Sequence, residues 1–139
     1  MTILQSVMNS PAVTIEGDQS VTEAARLMSE HDIGNVIVTS NGRLAGIVTD
    51  RDLTLRVLAE NRDGTTQVSE VCTDDPSSLS PQADIEDAVQ LMRDQNVRRL
   101  PIVDGERVVG AISLGDIARG SEADAADALA DISGAPANN

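Results

Sequence analysis

The sequence predicts a mixed α/β (α+β) fold made of two β-α-β-β-α units, and three observations in the chain predict it. A shift of 64 residues aligns two stretches without a gap, apolar positions agree in class along that alignment, and the hydrophobic period changes in the same order in both. Strict identity is 8 of 52 positions between residues 2–53 and 66–117, including Leu27-Met28 with Leu91-Met92, Gly46 with Gly110 and Asp52 with Asp116. Class agreement adds Ile15 with Leu79, Val21 with Ile85, Ile33 with Val97, Val36 with Leu100 and Val48 with Ile112. Two copies of one supersecondary unit explain this economically.

Each element has its own local signal. A brief strand is expected near Val13 to Ile15, and its counterpart near Ser77 to Leu79. Ser20-x-x-Glu23 is a capping-box pattern, after which Val21, Ala24, Leu27 and Met28 follow helical spacing. The matching helix starts near Asp84 and buries Ile85, Ala88, Leu91 and Met92. Val36-Ile37-Val38, the Asn41-Gly42 turn and Leu44 to Val48 read as a hairpin, as do Leu100 to Val103, Asp104-Gly105 and Val108 to Ile112. A second helix follows Thr49 or Ser113, with Leu53 and Val57 on one face in the first copy.

The resulting division is a first unit at 1–60, a connector turn at 61–65, a second unit at 66–120, a C-terminal helix at 121–132 and a tail at 133–139. So small a unit cannot bury both sheet faces alone, so the copies are expected to pack through their sheets about a pseudo-twofold axis.

Composition narrows the function. All ten basic residues are Arg, and against 23 acids they leave a formal charge of −13, which disfavours nucleic acid because binding it requires a basic face. Without Phe, Tyr or Trp, any base-binding site must rely on aliphatic walls and backbone contacts. Cys72 is the single cysteine, which excludes an intrachain disulfide and a cysteine-based zinc cage within one chain. The first residues, MTILQSVMNS, lack a signal-peptide pattern, and no run of 18 apolar residues occurs, so a soluble cytoplasmic protein without membrane contact is expected. No phosphate-loop pattern, metal-ligand cluster or nucleophile-base-acid set is visible, so neither catalytic nor metal-binding residues are assigned and no enzyme is expected. His31, which extends an apolar helix face, reads as a packed or capping residue, and Cys72 as a small buried hydrophobe.

Gly46-Ile47-Val48-Thr49-Asp50-Arg51-Asp52 and Gly110-Ala111-Ile112-Ser113-Leu114-Gly115-Asp116 share a glycine, two apolar residues, Ser/Thr, two free positions and Asp. Together with Val97-Arg98-Arg99-Leu100-Pro101-Ile102-Val103 and His31-Asp32-Ile33-Gly34, they make residues 2–120 resemble a tandem pair of cystathionine-β-synthase (CBS) domains, a Bateman module. The resemblance implies a regulatory module that needs no cofactor and binds AMP, ADP, ATP or S-adenosylmethionine in clefts between the units. It implies that Asp52 and Asp116 accept ribose hydroxyls and that Thr49 and Ser113 contact ribose or phosphate. It places adenine against Val13, Thr14, Ile33 and Val36, or against Ser77, Ser78, Val97 and Leu100. Arg51, Arg98 and Arg99 are candidate phosphate partners, since the guanidinium fork matches phosphate oxygens. A homodimer and an effector protein acting in trans complete the expectation.

A plainer reading accounts for the same motifs. Thr49-x-x-Asp52 and Ser113-x-x-Asp116 are also acceptable helix N-caps, Gly46 and Gly110 can serve close packing, and exposed arginines can pair with the abundant acids. A ligand-free dimerisation module is therefore the alternative.

Overall fold

A computed structural model describes residues 2–120, so the helix expected at 121–132 and the tail at 133–139 lie outside the described residues. The chain forms two compact units. One comprises Val13–Pro76; among the described residues, the other comprises 2–12 together with 77–120. The repeat in sequence and the compact unit in space thus divide the chain differently: the leader preceding each copy's first strand folds onto the core of the other copy.

In the Val13–Pro76 unit, strand β1 (Thr14–Glu16), helix α1 (Val21–His31), strands β2 (Asn35–Ser40) and β3 (Arg43–Thr49), helix α2 (Asp50–Leu53) and short strand β4 (Thr73–Asp74) follow in order. β1 runs parallel to β2, β2 is antiparallel to β3, and β4 is antiparallel to β3. The Ser20 hydroxyl caps α1 by accepting from the Glu23 N–H at 3.1 Å. Only that half of the expected capping box forms, because Glu23 turns its carboxylate to Arg26, three residues on, whose Nε and Nη2 both donate to it. α1 ends at Asp32 in a left-handed conformation (φ 53°), whose N–H closes on the Met28 carbonyl. α2 is shorter than the pattern suggests and passes into a π-helical turn at Thr54–Leu58. Ile15, Val21, Ala24, Met28, Val36, Val38, Val48 and Val57 form the core, joined by Val68, Val71 and Cys72 from the second leader.

The other unit repeats the plan with helix α3 (Ile85–Gln95), strands β5 (Arg99–Asp104) and β6 (Arg107–Ser113), and helix α4 (Leu114–Gly120). Its first strand is reduced to a single parallel bridge, Leu79 to Ile102. α3 has a full capping box, with Asp84 and Asp87 exchanging backbone-to-carboxylate bonds of 3.1 and 3.2 Å. Leu4 from the first leader is fully buried among Ile85, Ala88, Val89, Met92, Leu100, Ile102, Ile112 and Ile117. Leu4 N–H donates to the Ala83 carbonyl at 2.8 Å, and Asn9 and Ala111 exchange backbone bonds of 2.8 and 3.0 Å, which fixes the leader in register.

Candidate functional site

Strand order gathers the predicted residues of each copy. In the first, Asn35 pairs with Thr49, Val36 with Val48 and Thr14 with Ile37, while the Asp50 N–H donates to the Gly34 carbonyl at 2.9 Å. Val13, Thr14, Ile33, Val36, Thr49, Arg51 and Asp52 thus meet where β1 and β2 start and β3 ends. In the second, Arg99 pairs with Ser113 and Leu100 with Ile112, and the Leu114 N–H donates to the Arg98 carbonyl at 2.9 Å. Val97, Arg98, Arg99, Leu100, Ser113 and Asp116 are thereby brought together, and Ser77 and Ser78 lead into the Leu79 bridge.

Not every gathered side chain is presented. Val36 and Leu100, with exposures of 1% and 2%, are members of their hydrophobic cores. The surface left beside the motifs comes from half-buried Val13, Ile33 and Val97 and from exposed Thr14, Ser77 and Ser78. The side chains of Arg51, Arg98 and Arg99 form no ion pair among the described residues.

Both motifs adopt reciprocal caps. The Thr49 hydroxyl accepts from the Asp52 N–H at 3.0 Å, and Asp52 Oδ2 accepts from the Thr49 N–H at 2.9 Å. Ser113 and Asp116 repeat this at 3.1 and 2.8 Å. A cap occupies only one carboxylate oxygen, so capping and ligand binding are compatible roles for the same aspartate.

The two carboxylates differ in everything else. Asp52 keeps 13% of its side chain exposed, and among the described residues its Oδ1 meets only the Arg56 Nε, at 3.7 Å, beyond hydrogen-bond reach. Arg56 is drawn aside because its Nη1 donates to the backbone carbonyls of Val71 at 3.0 Å and Cys72 at 3.4 Å. Asp116 is 2% exposed and engaged on both oxygens: Oδ2 also accepts from Asn9 Nδ2 at 3.0 Å, and Oδ1 is clamped by Arg119. Spacing could have revealed Arg56 and Arg119, four and three residues beyond their aspartates. Asn9 could not be found that way, since 107 residues separate it from Asp116.

The motif glycines have a packing reason. A Cβ on Gly46 would lie 2.6 Å from the Thr73 carbonyl oxygen and 2.9 Å from Cys72 Sγ; on Gly110, 2.7 Å from the Asn9 carbonyl oxygen and 2.8 Å from Met8 Sδ. Glycine lets each leader run against the strand that ends in the motif.

The remaining singled-out residues stay apart from this chemistry. Cys72 is buried as expected, and desolvation followed by the nearby Asp74 carboxylate pushes its thiol up to about 11. His31 is exposed in the last turn of α1, where it faces the negative end of the helix and is not packed. Among the described residues, no group of three His, Cys, Asp or Glu side chains could hold a metal ion, and no helix is long and apolar enough to cross a membrane.

Two motif-bearing copies of one unit define a tandem repeat module, and the family comparison agrees. The chain belongs to the CBS domain family, whose pattern matches residues 4–59 and again 68–123. It is 42% identical over 135 residues to the CBS domain-containing protein YhcV of Bacillus subtilis, with 96% of each chain covered. It is similar to a crystal structure of Hypoxic Response Protein I with two coordinated zinc ions, at 32% identity and a TM-score of 0.79, covering 85% of this chain and 98% of that one. A CBS domain pair solved in complex with 5′-methylthioadenosine and S-adenosyl-L-methionine aligns at 27% identity and a TM-score of 0.74, covering 85% of this chain and 98% of that one.

Proposed function

We propose that this CBS pair is a non-enzymatic regulatory module that binds an adenosine-containing ligand and passes the signal to an effector protein in the cytoplasm. AMP is the first candidate, followed by ADP, ATP and S-adenosylmethionine. The observation that carries the reading is Asp52: a part-exposed carboxylate at a helix start, with one oxygen holding the cap and the other lacking a hydrogen-bond donor among the described residues. That free oxygen suits a ribose diol, because an ionised carboxylate accepts hydroxyl donors strongly. Thr49 sits beside it, Arg51 supplies for phosphate a guanidinium that forms no ion pair among the described residues, and Val13, Thr14 and Ile33 offer an adenine wall. The Ser113–Asp116 motif with Ser77, Ser78, Val97, Arg98 and Arg99 is its counterpart. The relative solved with two adenosine derivatives supports this ligand class. The net charge of −13 favours a monophosphate over a free triphosphate.

Ligand can shift the module only by its differential affinity for two states, so the signal requires an effector or a change in self-association. Leu55 and Leu58, exposed by 46% and 71% at the end of the second helix of the first copy, favour a homodimer built on helix faces. Light scattering on wild type and Leu58→Asp tests this; a dimer that becomes monomeric supports it, and a monomeric wild type defeats it.

The second reading is a ligand-free dimerisation module, favoured by the completed caps at both motifs. Isothermal titration with AMP, ADP, ATP and S-adenosylmethionine separates the two. Saturable binding that weakens at least about tenfold in Asp52→Ala or Asp116→Ala, the loss of one charge-assisted hydrogen bond, supports sensing. Silence across the panel from a folded protein supports the rival.

A further inference from the structure

The two carboxylate sites differ in a way that bears on stoichiometry, and the consequence rests on the adenosine-binding reading. We infer that the chain takes one ligand, at Asp52, and that Asn9 and Arg119 hold the second site closed by occupying Asp116.

The backbone decides where Asn9 points. Its N–H and carbonyl pair with Ala111 at 2.8 and 3.0 Å, which sets its side chain beside Asp116, three residues after β6 ends at Ser113. From there Nδ2 reaches Asp116 Oδ2, the oxygen that already accepts from the Ser113 N–H. Arg119, one turn along α4, takes Oδ1. Arg119 does this from a side chain that is itself 70% exposed, while its partner is 2% exposed. A ribose diol arriving at Asp116 must therefore displace a neutral donor and a cationic donor from a carboxylate that has little contact with solvent.

Among the described residues, the first copy lacks both closures. The repeat offset puts Thr73 at the position of Asn9, and Thr73 pairs with Ile47 as Asn9 does with Ala111. Threonine has a hydroxyl and no side-chain amide, and among the described residues Thr73 makes no hydrogen bond to Asp52. The cation of the first copy, Arg56, is anchored to the Val71 and Cys72 carbonyls and stands 3.7 Å from Asp52 Oδ1. At the 64-residue offset, Thr73 in place of Asn9 and Leu55 in place of Arg119 thus separate an open carboxylate from a closed one on otherwise matching caps.

The deciding measurements are titration stoichiometry and amide shifts in the ¹H–¹⁵N spectrum of the full chain, using AMP, ADP, ATP and S-adenosylmethionine as probes. Wild type is expected to bind one ligand per chain, with shifts centred on Thr49 to Asp52, and Asp52→Ala to weaken it at least tenfold. Asn9→Thr/Arg119→Ala is expected to bind two per chain, with new shifts at Ser113 to Asp116. Asn9→Ala, which keeps the backbone pairing, serves if the double variant does not fold, and is expected to raise weak second-site binding. Two ligands on wild type, a single ligand whose shifts centre on Asp116, or folded Asn9 variants that still bind one would overturn the inference while leaving the adenosine reading intact. No binding by any probe would overturn both.

Discussion

Asp52 and Asp116 occupy equivalent positions in two copies of one unit, yet among the described residues the first keeps an oxygen without a donor and the second has none to spare. The local sequence is nearly the same: a strand ending in Ser or Thr, two residues, then Asp. The difference originates in the leaders, which lie far away in the chain and bring asparagine to one site and threonine to the other. Equivalent motifs can therefore carry unequal chemistry, because a carboxylate's capacity is set by its whole set of donors.

The comparison can be tested first through the cores beneath the motifs. Met92 is fully buried, whereas the matching Met28 keeps 8% exposure. Met92→Ala is expected to cost about 2–5 kcal/mol by cavity formation, and more than Met28→Ala, in urea-unfolding curves. Equal losses would show that the two cores relax alike despite their different leaders.

The glycines come next. Gly46→Ala and Gly110→Ala each force a Cβ to within 2.7 Å of a leader carbonyl oxygen. Each is expected to lower stability by about 1–3 kcal/mol, with accelerated amide exchange in the leader it pushes away. In Gly110→Ala that leader carries Asn9, so the second site should become easier to open as the protein becomes less stable.

Removing the carboxylates gives a smaller effect with a sharper contrast. Asp116→Ala strands the Ser113 N–H, Asn9 and Arg119 donors and is expected to cost about 1–3 kcal/mol. Asp52→Ala loses mainly the Thr49 N–H bond and is expected to cost about 0.5–1.5 kcal/mol. Thermal melts in the absence of ligand measure both. A reversal of that order would remove the distinction between a structural and an available aspartate.

The smallest effect concerns Cys72, which stands where the first leader has Met8. Its thiol is raised to about 11 by desolvation and by Asp74, so between about 9 and 11 the unfolded chain has released a proton that the folded chain retains. Fewer protons on the unfolded state mean that stability declines as pH rises through this window. Cys72→Ser should flatten that decline, and thiol-directed reagents should react slowly with the folded wild type at pH 8.

Much of the fold was legible in the chain. Helical spacing from Val21 to Met28 and from Ile85 to Met92 locates α1 and α3, and the Asn41-Gly42 and Asp104-Gly105 turns locate both hairpins, because these signals act over a few residues. The capping readings of Thr49 and Ser113 were legible for the same reason. The core positions of Val36 and Leu100 were less so, since alternation along a strand identifies a face without saying whether that face meets a helix or a ligand. The shortness of α2 and its π-helical end escaped the pattern as well, since Leu53 and Val57 are compatible with an ordinary helix.

By itself, then, the sequence determined the repeat, the mixed α+β class, the family resemblance and the two aspartates, all of which depend on local periods and a fixed 64-residue offset. Only the tertiary structure decided that each leader crosses to the core of the other copy, that Gly46 and Gly110 make room for it, and that Asn9 reaches Asp116. The physical reason is that a hydrogen bond depends on about 3 Å of space and not on separation along the chain, so a partner 107 residues away leaves no local trace.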